Sequence, residues 1–174
     1  TGLPKEPRLG TVEFQRTTNQ LRQAAQAARD GSWAMPTVDG RLNIRSMYEP
    51  IGPVAVFVPN NFTLAFGPIS GGDFATAEAA GNPVIARAHP SQPGTAKLFA
   101  GCVQRAAEKT GMPGGLVQLI YHMSDEDGCR LVSHPLIGAT GYTGSRRNGL
   151  ILKAAADTAG KPISLEMGSI NPVF

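Results

Sequence analysis

Apolar residues follow two different rhythms along this chain, and the change comes near Pro50. Over residues 12–30 they recur at helical spacing, with Val12, Leu21, Ala25 and Ala28 near one stripe and Gly31 as a stop, so an amphipathic helix is expected. Over residues 36–50, Leu42, Ile44 and Met47 alternate with polar positions beyond Gly40, the pattern of extended chain around a turn. After Pro50, short continuous apolar runs alternate with Ala-rich stretches. Strands are expected over 52–58, 84–88, 116–121, 139–143 and 163–167, and helices over 71–80, 95–109, 126–133 and 145–159. Gly81-Asn82-Pro83 closes the first of these helices, and Gly111, with Pro113 beyond it, closes the second.

Strands that are apolar throughout, separated by helices, imply a parallel sheet covered on both faces. The expected fold class is therefore α/β, a doubly wound parallel sheet carrying an N-terminal helix and an extended arm. Residues 1–50 form the helix and arm, and residues 51–174 form the sheet domain. Open sheets of this kind bind ligands at the carboxyl ends of their strands. Three polar signals fall at such ends: Asn60-Asn61 after the first strand, Gly141-Tyr142-Thr143-Gly144-Ser145 after the fourth, and Glu166 closing the fifth.

Composition narrows the picture only a little. With 41 % hydrophobic and 17 % charged residues the chain is a folded globular one, and 174 residues suffice for one core. The formal charge is only +3, and the longest basic run is Arg146-Arg147, so a nucleic-acid partner is not expected. No apolar stretch is long enough to span a bilayer. Two cysteines, Cys102 and Cys129, make no disulfide framework, and a reducing cytoplasm is the default expectation. Cys102, inside an Ala-rich helix, is expected to pack as a small buried hydrophobe. His89, His122 and His134 lack ligand spacing, so no metal site is expected. The chain opens on Thr1 without a Met, so a chain trimmed, processed or cut from something longer is expected.

Taken singly, the polar signals have ordinary readings. Ser145 opening a helix is a natural N-cap, and it also places backbone amides where a phosphate binds. Neither G-x-G-x-x-G nor the G-x-x-x-x-G-K-[ST] pattern is present. Asn61 reads as a strand terminator, Glu166 as a solvated strand-end carboxylate, and His89 as a loop histidine.

The ordered set is more specific than its members. Pro59-Asn60-Asn61-Phe62, then GNPVIARAHPSQPGT at 81–95, GMPGGLVQLI at 111–120, GYTGS at 141–145 and LEMGSINPVF at 165–174 together resemble the aldehyde dehydrogenase superfamily. The resemblance runs from about Arg45 to Phe174, and the 12–30 helix resembles that family's N-terminal helical segment. The wording HPSQPGT and EMGSINPVF is most similar to the branch that contains the 2-oxoglutarate semialdehyde dehydrogenases.

The resemblance implies a Rossmann-like, dinucleotide-binding domain and assigns roles. Asn61 falls on the family's oxyanion donor, a neutral preorganised amide suited to developing negative charge. Glu166 falls on the general base that activates water, and a strand-end carboxylate is expected to be partly desolvated there. Pro59, Asn60, Met167 and Gly168 flank these two in the cofactor segment. Arg87 stands where most members have a Lys near the adenosine ribose, His89 lies two residues on, and Pro90 replaces a Glu common in NAD-preferring members. That combination tilts the expectation to NADP over NAD, because no carboxylate is left to repel a 2′-phosphate. Gly144 and Ser145 fall where a helix N-terminus meets the pyrophosphate, while Arg146 and Arg147 are expected to be solvated. The family's nucleophilic Cys lies well beyond Glu166, past the last residue here, so this chain alone is expected to be inactive. The expected reaction is NAD(P)-dependent oxidation of an aldehyde to an acid through a cysteine thioester, in a homo-oligomer when full length. A non-enzymatic nucleotide-binding module and a CoA-acylating relative are the alternatives, and Glu166 speaks against the second.

Overall fold

Seven strands and five helices account for most of the chain, and a computed structural model describes residues 1–170 and 173. Asn171, Pro172 and Phe174 of the last motif lie outside the described residues. The strands β1 (Thr37–Asp39) and β2 (Ile44–Ser46) pair as an antiparallel hairpin, the arm expected from the alternation around Gly40. The remaining strands, β3 (Val54–Phe57), β4 (Val84–Arg87), β5 (Val117–Ile120), β6 (Ala139–Gly144) and β7 (Ile163–Met167), form one parallel sheet. Their order is β5-β4-β3-β6-β7. Winding starts at β3, runs outward to β5, then returns to β6 and runs the other way. That reversal puts a topological switch point between β3 and β6, where Phe57 pairs with Tyr142.

Strand alternation decides which helix covers which face. Ala55 and Phe57 point to one side, where they pack with Val132 of α4 (Asp125–Val132) and with Leu152 and Ala156 of α5 (Arg146–Thr158). Val56 and Val58 point to the other, against Phe74 and Ala77 of α2 (Gly72–Ala79) and Phe99 and Val103 of α3 (Pro93–Thr110). Both faces of the sheet are therefore covered, as continuous apolar strands require. Gly111, with φ +68°, ends α3 in the left-handed conformation that glycine adopts without a Cβ clash.

Two sequence expectations change. The N-terminal helix is not built on Val12, Ala25 and Ala28. Helix α1 (Gln15–Asp30) follows a wider helical segment, Lys5–Phe14, and Val12, Ala25 and Ala28 are exposed. The inward face of the two segments runs through Glu13, Thr17, Gln20 and the expected Leu21 to the half-buried Ala24 and Ala27, so hydrogen bonds from Glu13 and Gln20 dock it beside an apolar stripe displaced from the expected one. Cys102 is exposed as well. The inward face of α3 is Ala96, Phe99, Ala100 and Val103, which leaves Cys102 on the solvent side, its sulfur accepting a hydrogen bond from Arg105 at 3.3 Å.

Candidate functional site

A cleft of about 540 Å³ opens at the carboxyl ends of the strands, over the α4/α5 face and across the switch point. Pro59, Asn60 and Asn61 enter it from the loop after β3, and Arg87 and His89 from the end of β4. Gly144 and Ser145 enter it from β6, and Glu166, Met167 and Gly168 from β7. All ten site residues singled out in the sequence thus line one cavity.

Helix α5 points its N-terminus at this cleft. Ser145 caps it, its hydroxyl accepting from the Asn148 amide at 3.4 Å, and the Tyr142 hydroxyl donates to the Ser145 carbonyl at 2.9 Å. The buried Tyr142 ring also fixes how closely α5 approaches. A Cβ on Gly149 would come within 2.9 Å of the ring and 2.8 Å of the Met167 sulfur, so only glycine allows this helix to sit so near β6 and β7. Unpaired amides of the first helical turn and the positive end of the helix dipole make such a terminus attractive to an anion. The cap leaves this terminus open to an anion, because the serine satisfies only one of those amides.

The second wall is polar and prearranged. Ser91 donates its amide to His89 Nδ1 at 3.2 Å, so that nitrogen is the acceptor and the ring proton resides on Nε2. Ser91 Oγ stands 2.8 Å from Nδ1 and accepts from Asn60 Nδ2 at 3.4 Å. Below it, the buried Thr63 hydroxyl donates to Gln92 Oε1 at 2.7 Å, tying the loop after β3 to the loop after β4. Burial lowers the His89 pKa and the neighbouring Arg87 charge lowers it further, which favours the neutral imidazole. The Nε of Arg87 is buried with no hydrogen-bond partner among the described residues. A buried donor left in this state points to a partner outside the chain.

Asn61 presents its side chain to the cleft with no hydrogen bond to another described residue. Glu166 is exposed, contrary to the desolvation expected at a strand end. The reason is topological: β7 is an edge strand, and Ile163, Leu165 and Met167 take the side packed under α5, which leaves Ser164 and Glu166 facing outward. Asp73 on α2 is also exposed, but its carboxylate stands so close to β6 that a Cβ on Gly141 would lie 2.9 Å from its Oδ2. Loss of solvation raises the Asp73 pKa, and the charge of Glu166 raises it further.

Several lining residues were not anticipated. Ser124 and Asp125 reach the cleft from the start of α4, and Asn148, Ile151 and Leu152 from α5. The Ser124-x-x-Asp127 spacing was a legible helix start, and Ser124 indeed accepts from the Asp127 amide at 3.0 Å. Nothing in sequence alone said that this helix would border the cleft. Among the described residues no group of three or more His, Cys, Asp or Glu is arranged to hold a metal, and no helix is long and apolar enough to cross a membrane.

Comparison with known proteins adds to this geometry. The model of the aldehyde dehydrogenase family matches residues 4–174. The chain is 41 % identical over 184 aligned positions to alpha-ketoglutaric semialdehyde dehydrogenase 2 of Azospirillum brasilense, with 99 % of the chain covered. It spans only 34 % of that relative's length. Among solved structures, glyceraldehyde-3-phosphate dehydrogenase GapN from Methanocaldococcus jannaschii, complexed with NADP, superposes with a TM-score of 0.77 at 25 % identity, over 92 % of this chain and 34 % of its own. Aldehyde dehydrogenase C from Pseudomonas syringae, complexed with NAD+ and octanal, superposes with a TM-score of 0.69 at 29 % identity, over 90 % of this chain and 31 % of its own.

Proposed function

The chain belongs to the aldehyde dehydrogenase family, and from that premise we propose that it supplies the dinucleotide site, the oxyanion donor and the water-activating base of an enzyme that oxidises an aldehyde to a carboxylic acid. The observation that carries this reading is the convergence of four strand ends on one cleft, with a helix N-terminus and the half-buried Arg87, its Nε unpartnered among the described residues, on its walls.

The residues present fit a dinucleotide. The first turn of α5 offers amides to the pyrophosphate, while Gly144 and Gly168 leave room for backbone to approach it. Arg87, with its orphaned Nε, would hold the ribose end, and His89 would add a hydrogen bond there. With Pro90 offering no carboxylate, NADP is the favoured form. When bound, the nicotinamide supplies a hydride acceptor.

The chain's own groups do the rest. Asn61 donates its amide to the oxyanion formed when the aldehyde carbonyl is attacked. Glu166 takes the proton of the water that releases the acid. Its outward position on an edge strand suits a base whose desolvation is completed by residues beyond this chain. Neither cysteine reaches the cleft, Cys102 lying on the solvent side of α3 and Cys129 packing from α4 against the core, so the nucleophile is also supplied from beyond it. The name of the Azospirillum relative favours 2-oxoglutarate semialdehyde as substrate. We assign residues 1–50 and 51–174 as arm and dinucleotide domain, and place the full-length enzyme in the cytoplasm as a homo-oligomer.

Replacing Asn61 by Ala in the full-length enzyme tests the reading directly. Loss of an oxyanion donor lowers kcat by on the order of 100-fold, with dinucleotide affinity retained. Turnover within twofold of the parent would remove the role of Asn61.

A further inference from the structure

The N-terminal segment grips the loop that carries Asn61 through a buried charge. Glu13 is 0 % exposed. Its Oε2 accepts the amide of Leu64 at 2.8 Å and that of Ala65 at 3.4 Å, and its Oε1 accepts Arg8 Nε at 2.8 Å. The same guanidinium donates from Nη2 to the Asn61 carbonyl and lies 3.9 Å from the centroid of the Phe62 ring. Two turns along α1, Gln20 donates to the carbonyls of Ala65 and Ser70 at 2.9 and 2.7 Å. A buried carboxylate is strongly unfavourable unless paired and hydrogen-bonded, and an apolar contact would dock a helix at lower cost. Here the charge is fully partnered, and its partners are the backbone on the far side of Asn61 and the cation that holds Asn61 itself.

We propose that Arg8 and Glu13 are positioning residues for Asn61. The inference rests on the oxyanion role proposed for Asn61. That residue lies beyond the last ladder pair of β3, at Phe57, so the sheet does not hold its backbone. Arg8 fixes its carbonyl, and Glu13 fixes the amides three and four residues later. The loop is thus pinned by β3 on one side of Asn61 and by Glu13 on the other. With the backbone set, the side-chain amide has only its own rotations left and arrives aimed before substrate does, which is where an electrostatic donor gains most of its effect.

The test compares Arg8→Gln, Glu13→Gln, Asn61→Ala and the double variant Arg8→Gln/Asn61→Ala in the full-length enzyme. Misplacing the donor lowers kcat by about tenfold in Arg8→Gln and in Glu13→Gln, while KM for the aldehyde and Kd for the dinucleotide stay within about twofold. Arg8→Lys, which keeps the charge but not the fork, restores part of the loss. Hydrogen exchange at the Leu64 amide accelerates in Glu13→Gln. The double variant is no slower than Asn61→Ala alone, because both changes act through one donor. Additive losses, or a raised KM at unchanged kcat, overturn the proposal and make the cluster a fold anchor only. If Asn61→Ala itself leaves kcat unchanged, the oxyanion reading falls first and this one with it. If Asn61→Ala is slow while the Arg8 and Glu13 variants are silent, only the positioning role falls. Arg8 is 33 % exposed at its side chain, so Arg8→Gln carries the test even if Glu13→Gln does not fold.

Discussion

Single residues show where pattern and environment part. Glu13 is a charged residue at a helical position, and hydropathy assigns such a residue to solvent; its burial depends on Leu64 and Ala65, some fifty residues away, so no local window holds that information. Glu166 departs from its pattern for the converse reason. Its desolvation was inferred from apolar neighbours in sequence, yet side chains alternate across a strand, and those neighbours face the other way. Glu78 on α2 is a third case. One of its carboxylate oxygens is buried without a partner, and burial raises its pKa from 4.5 to about 7. The folded chain therefore holds this proton more tightly than the unfolded chain. The stability it contributes is fully present below about pH 4.5 and is lost as pH rises through about 7. Discounted for a group only half shielded from solvent, the loss is about 1–2 kcal/mol. Glu78→Gln removes the charge and keeps the shape, so urea melts at pH 5 and pH 8 should show a smaller difference for the variant than for the parent. An unchanged pH dependence would rule out Glu78 as its source.

At the level of elements the sequence was more informative. All five strands of the parallel sheet and the four helices between them lie where the apolar runs and the Gly and Pro punctuation put them, because each run is short, continuous and bounded by a residue that cannot extend it. The cleft was legible for the same reason: once strand ends are known, the switch-point rule gathers their polar residues at one edge. The contribution of α4 was not legible, since a helix start signals its cap but not its neighbours. The fit of α5 against the sheet was also hidden, as it depends on a contact between Gly149, Tyr142 and Met167. Gly149→Ala tests it. The added Cβ would meet the Tyr142 ring at 2.9 Å, and that ring is held by the hydroxyl bond to Ser145. Met167 is flexible and yields, but the ring does not, so overpacking destabilises the chain by about 1–3 kcal/mol. Because α5 must shift outward, taking its first-turn amides with it, dinucleotide affinity should fall as well. Isothermal titration showing parental affinity would mean that the helix N-terminus does not hold the cofactor.

Across the whole molecule, apolar surface is distributed unevenly. The sheet core is sealed by helices on both faces, whereas the β1–β2 hairpin and the segment after it are open. Val38, Leu42, Ile44, Met47, Tyr48 and Ile51 are each more than half exposed. The parallel sheet also has two edges, β5 and β7, with no strand beyond either among the described residues. Exposed apolar side chains in such number favour association, as do unpaired edges. The chain of residues 1–174 is therefore expected to self-associate and to bind a hydrophobic dye in its native state. The hairpin and the edges make distinguishable contributions. Val38→Glu with Ile44→Lys charges the hairpin, sets each new charge opposite its complement (Arg45 and Asp39), and leaves both edges as they are. Exposed sites tolerate such changes within about 0.5 kcal/mol, so the melting temperature should hold while dye binding and sedimentation weight fall. If weight stays high while dye binding falls, association runs through β5 or β7. If both stay high, the apolar hairpin is not the sticky surface.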